Sequence, residues 1–101
     1  MRVVFSPAAE HDLIGLHSYI QNDLQNPIAA HNIAAKILHR SQQLETFPEM
    51  GASLNSIDRR LDGYRYILAD NYLVIYRITH PQGVIIRILY ARSDYVQLLK
   101  G

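Results

Sequence analysis

Asn71-Tyr72-Leu73-Val74-Ile75-Tyr76-Arg77-Ile78-Thr79-His80-Pro81-Gln82-Gly83-Val84-Ile85-Ile86-Arg87-Ile88-Leu89-Tyr90 is the stretch that decides the fold. Its two apolar runs are rich in β-branched and aromatic residues, and His80-Pro81-Gln82-Gly83 between them has the composition of a turn. Strands over 72–79 and 84–90 therefore pair as an antiparallel hairpin. Strict alternation puts Leu73, Ile75, Arg77, Ile85, Arg87 and Leu89 on one face, and Tyr72, Val74, Tyr76, Ile78, Val84, Ile86, Ile88 and Tyr90 on the other. Both faces are apolar enough to need cover. Helices are expected over one, and something else in part over the face that carries the arginines.

Upstream, Asp70-Asn71 supplies a second tight turn, and the alternation of Leu61, Gly63, Arg65 and Ile67 with Asp62, Tyr64, Tyr66 and Leu68 predicts a preceding strand. Glu49 to Ser56 has no periodicity and reads as a loop. Before it the period changes to that of helices. Asn26-Pro27 is a start signal, followed by Ala30, Ile33, Ala34, Ile37, Leu38, Ser41 and Leu44 on one stripe, with Pro48 closing the segment. Ser6-Pro7 is a second start signal, followed by Ala9, Leu13, Leu16 and Ile20, with an end near Asp23. The connection between these helices is short enough to make them an antiparallel hairpin. Arg2 to Phe5 is a short opening strand. The expected architecture is α+β: an N-terminal strand, then an antiparallel helix hairpin packed on a C-terminal three-stranded antiparallel meander. At 101 residues the whole of 1–101 is one domain.

Composition narrows the chemistry. Without cysteine there is no disulfide framework, thiolate nucleophile or sulfur-ligated zinc. Of the five histidines, His11 and His17 are six apart and His31 and His39 eight apart, so no i, i+4 pair exists and no metal is expected. No nucleophile elbow, phosphate loop or dinucleotide fingerprint occurs, and no cofactor is expected. The start lacks a secretory signal and no run is long enough to span a membrane, which makes a soluble cytoplasmic protein the expectation.

Net charge is only +1 but unevenly placed: residues 1–50 carry three bases against five acids, and 51–101 seven bases against four. That field is too weak to identify a nucleic-acid binder by charge. Catalysis would fall to Arg60, Arg65, Arg77, Arg87, Arg92, Asp94 and Tyr95, with arginine steadying a phosphate and a tyrosine or acid moving a proton. For any single strand arginine, a solvated or ion-paired role is the commoner one.

Order and spacing add a resemblance. Arg60-Leu61, the run Asn71 to Arg77, and Val84 to Asp94 with Leu98-Leu99 are similar to the C-terminal signature of the RelE/ParE toxin superfamily. Val4-Phe5-Ser6-Pro7-Ala8-Ala9-Glu10-His11-Asp12-Leu13, Asn26-Pro27 and Phe47-Pro48-Glu49-Met50-Gly51 resemble its first half, so the likeness covers nearly the whole chain. The RelE-like branch, ribosome-dependent messenger-RNA endonucleases, uses an arginine directly after the tyrosine of the middle strand, where this chain has Leu73. Tyr-Leu-x-x-Tyr-Arg at 72–77, Ile-x-Arg-x-Leu at 85–89 and Arg-x-Asp at 92–94 resemble the ParE-like branch, though Tyr90 and Ser93 depart from its frequent histidine and arginine.

The resemblance implies a toxin of a type II toxin-antitoxin system, associated with plasmid stabilisation. It would inhibit DNA gyrase and be neutralised by a ParD-like antitoxin that lays a helix on the helix hairpin and adds a strand to the sheet edge. The alternative target is the ribosome with its mRNA. Candidate contacts with target or antitoxin are Arg60, Arg77, Arg87, Arg92, Asp94, Tyr95, Leu98 and Leu99, with no catalytic residue assigned. The bland alternative is that Arg87 and Asp94 form an internal ion pair and that Leu98 and Leu99 close the core.

Overall fold

The computed structural model describes residues 1–93 and Leu99. The opening strand β1 (Arg2–Phe5) passes directly into α1 (Pro7–Ser18), because Ser6 Oγ accepts the Ala9 N–H at 3.1 Å while Pro7 occupies the first helical turn. A π-helical turn over Tyr19–Asp23 ends this arm, and Gln25, at φ +50°, reverses the chain. Asn26 then caps α2 (Pro27–Gln43) through the Ala29 N–H at 3.1 Å. The two helices form the expected hairpin.

The expected meander is present as β3 (Arg65–Ala69), β4 (Tyr72–Thr79) and β5 (Gln82–Tyr90), with Asp70 at φ +56° and the pair His80-Pro81 in its two turns. An isolated left-handed residue suits an aspartate, whose short polar side chain bonds locally. Two strands extend the sheet beyond the meander. β1 lies parallel to β5, and the two-residue β2 (Ala52–Ser53), inside the stretch expected to be loop, pairs with β3. The resulting order is β1-β5-β4-β3-β2.

Helix and sheet enclose the main core. Ala9, Leu16 and Ile20 of the first arm and Ala30, Ile37 and Leu44 of the second meet Ile67, Val74, Tyr76, Ile85 and Ile88. Leu38, expected on the buried stripe, is instead 42% exposed, because the stripe of α2 that meets the sheet is narrower than the apolar face in its sequence.

Strict alternation fails at one point. Between Ile75 opposite Arg87 and Tyr76 opposite Ile85 the register slips by one, leaving Ile86 without a partner. An extra residue flips the faces of what precedes it, so Ile85 joins Tyr76 on the helix side and not Leu73 and Ile75. The expected strand start at Leu61 is also displaced: Arg59–Leu61 is a 3-10 turn and the strand begins at Arg65. Gly63, at φ +86°, makes the bend between them. Among the described residues no helix is long and apolar enough to cross a membrane.

Candidate functional site

The sheet face away from the helices is where the arginines were expected to meet a partner, and the chain itself closes its centre. Two 3-10 turns, Leu54–Ser56 and Arg59–Leu61, bring Leu54 and Leu61 onto Leu73, Ile75 and Leu89, with Tyr64, Tyr66, Ala91 and Leu99 around them. Leu73 is 5% exposed, an apolar member of a small second core. Leu99 packs at the edge of that core, which is the place a core-closing role requires.

The arginines ring this second core and do not converge. Arg60 is exposed and grips Asp58 with two side-chain bonds, Nε to Oδ1 at 3.0 Å and Nη2 to Oδ2 at 2.6 Å. The hydrogen bond to Asp58 raises the guanidinium pKa above its ordinary value. Arg77 is exposed and lies over the Tyr64 ring, 4.8 Å from its centroid and beside Gly63. Arg65 donates to the Gly51 carbonyl at 2.8 Å and so ties the long loop to β3. Arg92 is exposed, and its side chain makes no bond to any described residue. Asp94, Tyr95 and Leu98 lie outside the described residues.

Arg87 has a different place. Its Nε and Nη2 meet both carboxylate oxygens of Asp12 at 2.7 and 3.0 Å, a bidentate fork between β5 and α1. Asp12 Oδ2 also accepts the Ile88 N–H at 3.0 Å, and the Ser6 hydroxyl donates to the Ile86 carbonyl at 2.8 Å. β1 ends at Phe5, opposite Ile85, so among the described residues the backbone of β5 beyond it has no strand neighbour on that side. Ser6 and Asp12 satisfy these groups where the bulge and the strand end coincide. The Asp12 hydrogen bond raises the Arg87 pKa from its ordinary value. Within the described residues, then, the ion-pair partner of Arg87 is Asp12. No motif singles out Asp12; its signal in the sequence is an acid standing between Ala9 and Leu13 at the border of an apolar stripe.

Tyr76 is a second residue with more to do than fill the core. Fully buried, it accepts the Gly51 N–H at 3.0 Å and donates to the Pro48 carbonyl at 2.8 Å, fastening the loop after α2 to the sheet. A Cβ at Gly51 would stand 2.6 Å from the Tyr76 oxygen and 2.7 Å from the Tyr66 carbonyl, so the loop approaches as closely as only glycine permits. Burial raises the Tyr76 phenol pKa, with the Gly51 bond and Arg65 pulling the other way.

The helical side carries the most exposed apolar groups. Ile14 is 69% exposed on α1 and Ile28 75% on α2, and a groove beside the outer edge of β1 is lined by Val3, Phe5, Leu13, Ile14 and Leu38. Among the described residues no group of three histidine, cysteine, aspartate or glutamate side chains is placed to hold a metal.

This strand, helix hairpin and five-stranded sheet, taken with the matches that follow, place the chain among the toxins of type II toxin-antitoxin systems. A family model described as the ParE toxin of the type II toxin-antitoxin system parDE matches residues 3–95, and the chain belongs to that family. Its fold is similar to a solved structure of the chromosomal ParDE toxin-antitoxin system from P. aeruginosa. The TM-score is 0.76 at 19% identity, with 91% of this chain and 97% of that one covered. No curated protein sequence matches the chain.

Proposed function

We propose that this toxin acts in the bacterial cytoplasm by binding and inhibiting DNA gyrase, and that a ParD-like antitoxin neutralises it. The observation that carries the choice of target is Leu73. A nuclease of the RelE-like kind would need a cation there to steady a scissile phosphate, and here the position is buried under the chain's own Leu54 and Leu61. The remaining arginines are spread around the rim, as suits adhesion to a protein surface more than the convergent grip that phosphate cleavage demands.

In this reading Arg60, Arg77 and Arg92 meet the target together with Asp94, Tyr95 and the Leu98-Leu99 end, whereas Arg87 acts from within by joining β5 to α1. The antitoxin lies elsewhere, as an amphipathic helix whose apolar side covers Ile14 and Leu38 in the groove beside β1. A strand added along the outer edge of β1 extends the same contact by displacing the Glu45 carboxylate, which accepts the Val3 N–H there at 3.2 Å.

Supercoiling by purified gyrase tests the target: near-stoichiometric toxin should abolish it, and full activity in excess toxin rejects the proposal. Primer extension on ribosome-bound message provides the opposing result, since discrete cuts that vanish in Arg92→Ala would establish the endonuclease instead. For the antitoxin surface, Ile14→Asp should leave toxicity intact and prevent rescue by the protein encoded beside the toxin gene.

A further inference from the structure

At the tip of the helix hairpin a cleft of about 650 Å³ opens between the π-helical turn and the Asp70-Asn71 turn of the sheet. Its helical wall is mainly aliphatic, formed by Leu16, Ile20, Leu24, Ala29 and Ile33 with Asn26 at the start of the second helix. Its sheet wall is aromatic. Tyr72 and Tyr90 are cross-strand neighbours whose ring centroids stand 5.7 Å apart at 68°, so the two rings form a corner. Tyr19, 52% exposed, adds a third ring from the helical side, and the exposed Asp70 places a carboxylate on the turn beside Tyr72. Among the described residues no lysine, arginine or histidine lines the cleft.

An aliphatic pocket alone would suit any apolar group, but three tyrosines and a carboxylate in its lining add a direction of charge. Tyrosine faces are electron-rich and attract a cation, and a neighbouring carboxylate adds to that attraction inside a half-enclosed space. Burial is the main cause that raises the Tyr72 phenol pKa, with Tyr90, Asp70 and Tyr19 adding to it, so this ring stays neutral beside the Asp70 carboxylate. The occupant must combine a long apolar stem for the helical wall with a cationic head for the rings and Asp70. Arginine meets both needs, because its guanidinium stacks flat on aromatic rings and forks onto a carboxylate. We propose that this cleft is an aromatic cage for an arginine side chain presented by an apolar segment of a partner protein. It stands independently of the gyrase assignment, and its test needs neither gyrase nor an antitoxin.

The probes are the peptides acetyl-Leu-Arg-Leu-amide and acetyl-Leu-citrulline-Leu-amide, which differ in the charge of one head group of nearly the same shape. Titrated into the isotope-labelled toxin, the arginine peptide should shift the resonances of Tyr19, Asp70, Tyr72 and Tyr90 saturably in the millimolar range. The citrulline peptide should bind about tenfold more weakly, the ratio expected for a cation held by rings and a carboxylate. Asp70→Asn and Tyr90→Leu, both at exposed positions, should each bring the two peptides closer in affinity, and the spectrum itself shows that the fold is kept. Equal affinity of both peptides for the unmodified protein overturns the cage, as do shifts that map elsewhere or no saturable shift at all.

Discussion

On the helix side of the sheet, Ala30 and Ile37 of one long helix and Leu44 at its C-terminal cap reach Val74, Tyr76 and Ile85 together. On the opposite side Leu54 and Leu61, each carried by a turn of three residues, cover Leu73, Ile75 and Leu89. The helical residues are linked by a continuous ladder of backbone bonds, so losing one contact loosens its neighbours. The 3-10 turns are held by a few separate bonds, Ile57 N–H to Leu54 C=O and Leu61 N–H to Asp58 C=O within them and Leu54 N–H to Tyr64 C=O beyond them, with no such ladder. The two halves of the core should therefore differ in how far damage spreads, with the loop side opening by itself at lower cost.

Truncating one fully buried residue on each side measures that difference. Ile37→Ala should cost about 3–5 kcal/mol in urea unfolding and lower hydrogen-exchange protection throughout the chain. Leu54→Ala should cost about 2–3 kcal/mol, because the surrounding turns can partly collapse into the space, with protection lost mainly over 52–66. Equal costs with equally global loss of protection would show one cooperative core where two are claimed.

Next in size is the seam between α1 and β5. Asp12→Ala removes the partner of Arg87 and the acceptor of the Ile88 N–H, and should destabilise by about 1–3 kcal/mol. The loss should appear in the exchange of Ile88 and its neighbours in β5 before it appears in β3. Should β3 and β5 lose protection equally, Asp12 is only one more contact in the main core.

The helix side was legible in the sequence because its signals are repetitive and local: caps at Ser6 and Asn26 with proline after each, then apolar residues at helical spacing. The meander was legible for the same reason, from alternation bounded by turn residues. What could not be read was set by single, non-repeating events. The unpaired Ile86 reverses the faces of β5, and no pattern announces one extra residue between two apolar neighbours. The 3-10 turn at 59–61 was hidden because Leu61, Gly63 and Arg65 alternate as a strand would, although Gly63 has to bend the chain there. The partner of Arg87 was hidden because Asp12 lies 75 positions away and only the parallel placement of β1 beside β5 brings it close. Alternation put Arg77 and Arg87 on one face of the sheet, but what each one touches depended on this loop cover and this register shift.

Tyr76 joins the two sides, since its ring lies in the helix-side core while its hydroxyl holds the loop that leads to the second one. Tyr76→Phe should keep the ring packed and cost about 1–2 kcal/mol for the lost bonds at Gly51 and Pro48. The hydroxyl also sets an alkaline limit. Burial raises the Tyr76 and Tyr72 pKa values above the ordinary 10.0, so the native state keeps these protons at a pH where the unfolded chain has lost them. That stability is complete below about pH 10 and is lost as pH rises through the folded values. Unfolding followed from pH 8 to 12 should show a steeper alkaline decline in the natural protein than in Tyr76→Phe; parallel curves would mean that the hydroxyl is not titrating with unfolding.

The smallest effect is expected at Arg77, and it separates a role in covering the second core from a role in meeting a target. Arg77 lies against the outer face of Tyr64, whose ring borders Leu54 and Leu61, so the guanidinium can brace the loop cover from outside. As an exposed cation on a tyrosine, it should contribute about 0.5–1 kcal/mol. Arg77→Ala, Tyr64→Leu and the double substitution form a cycle in which that contact appears as coupling. Measurable coupling makes Arg77 part of the weaker side's own stability, and a loss of toxicity in Arg77→Ala must then be corrected for the looser loop. If the two substitutions are additive and gyrase inhibition still falls, the arginine stands free of the fold and acts directly on the target.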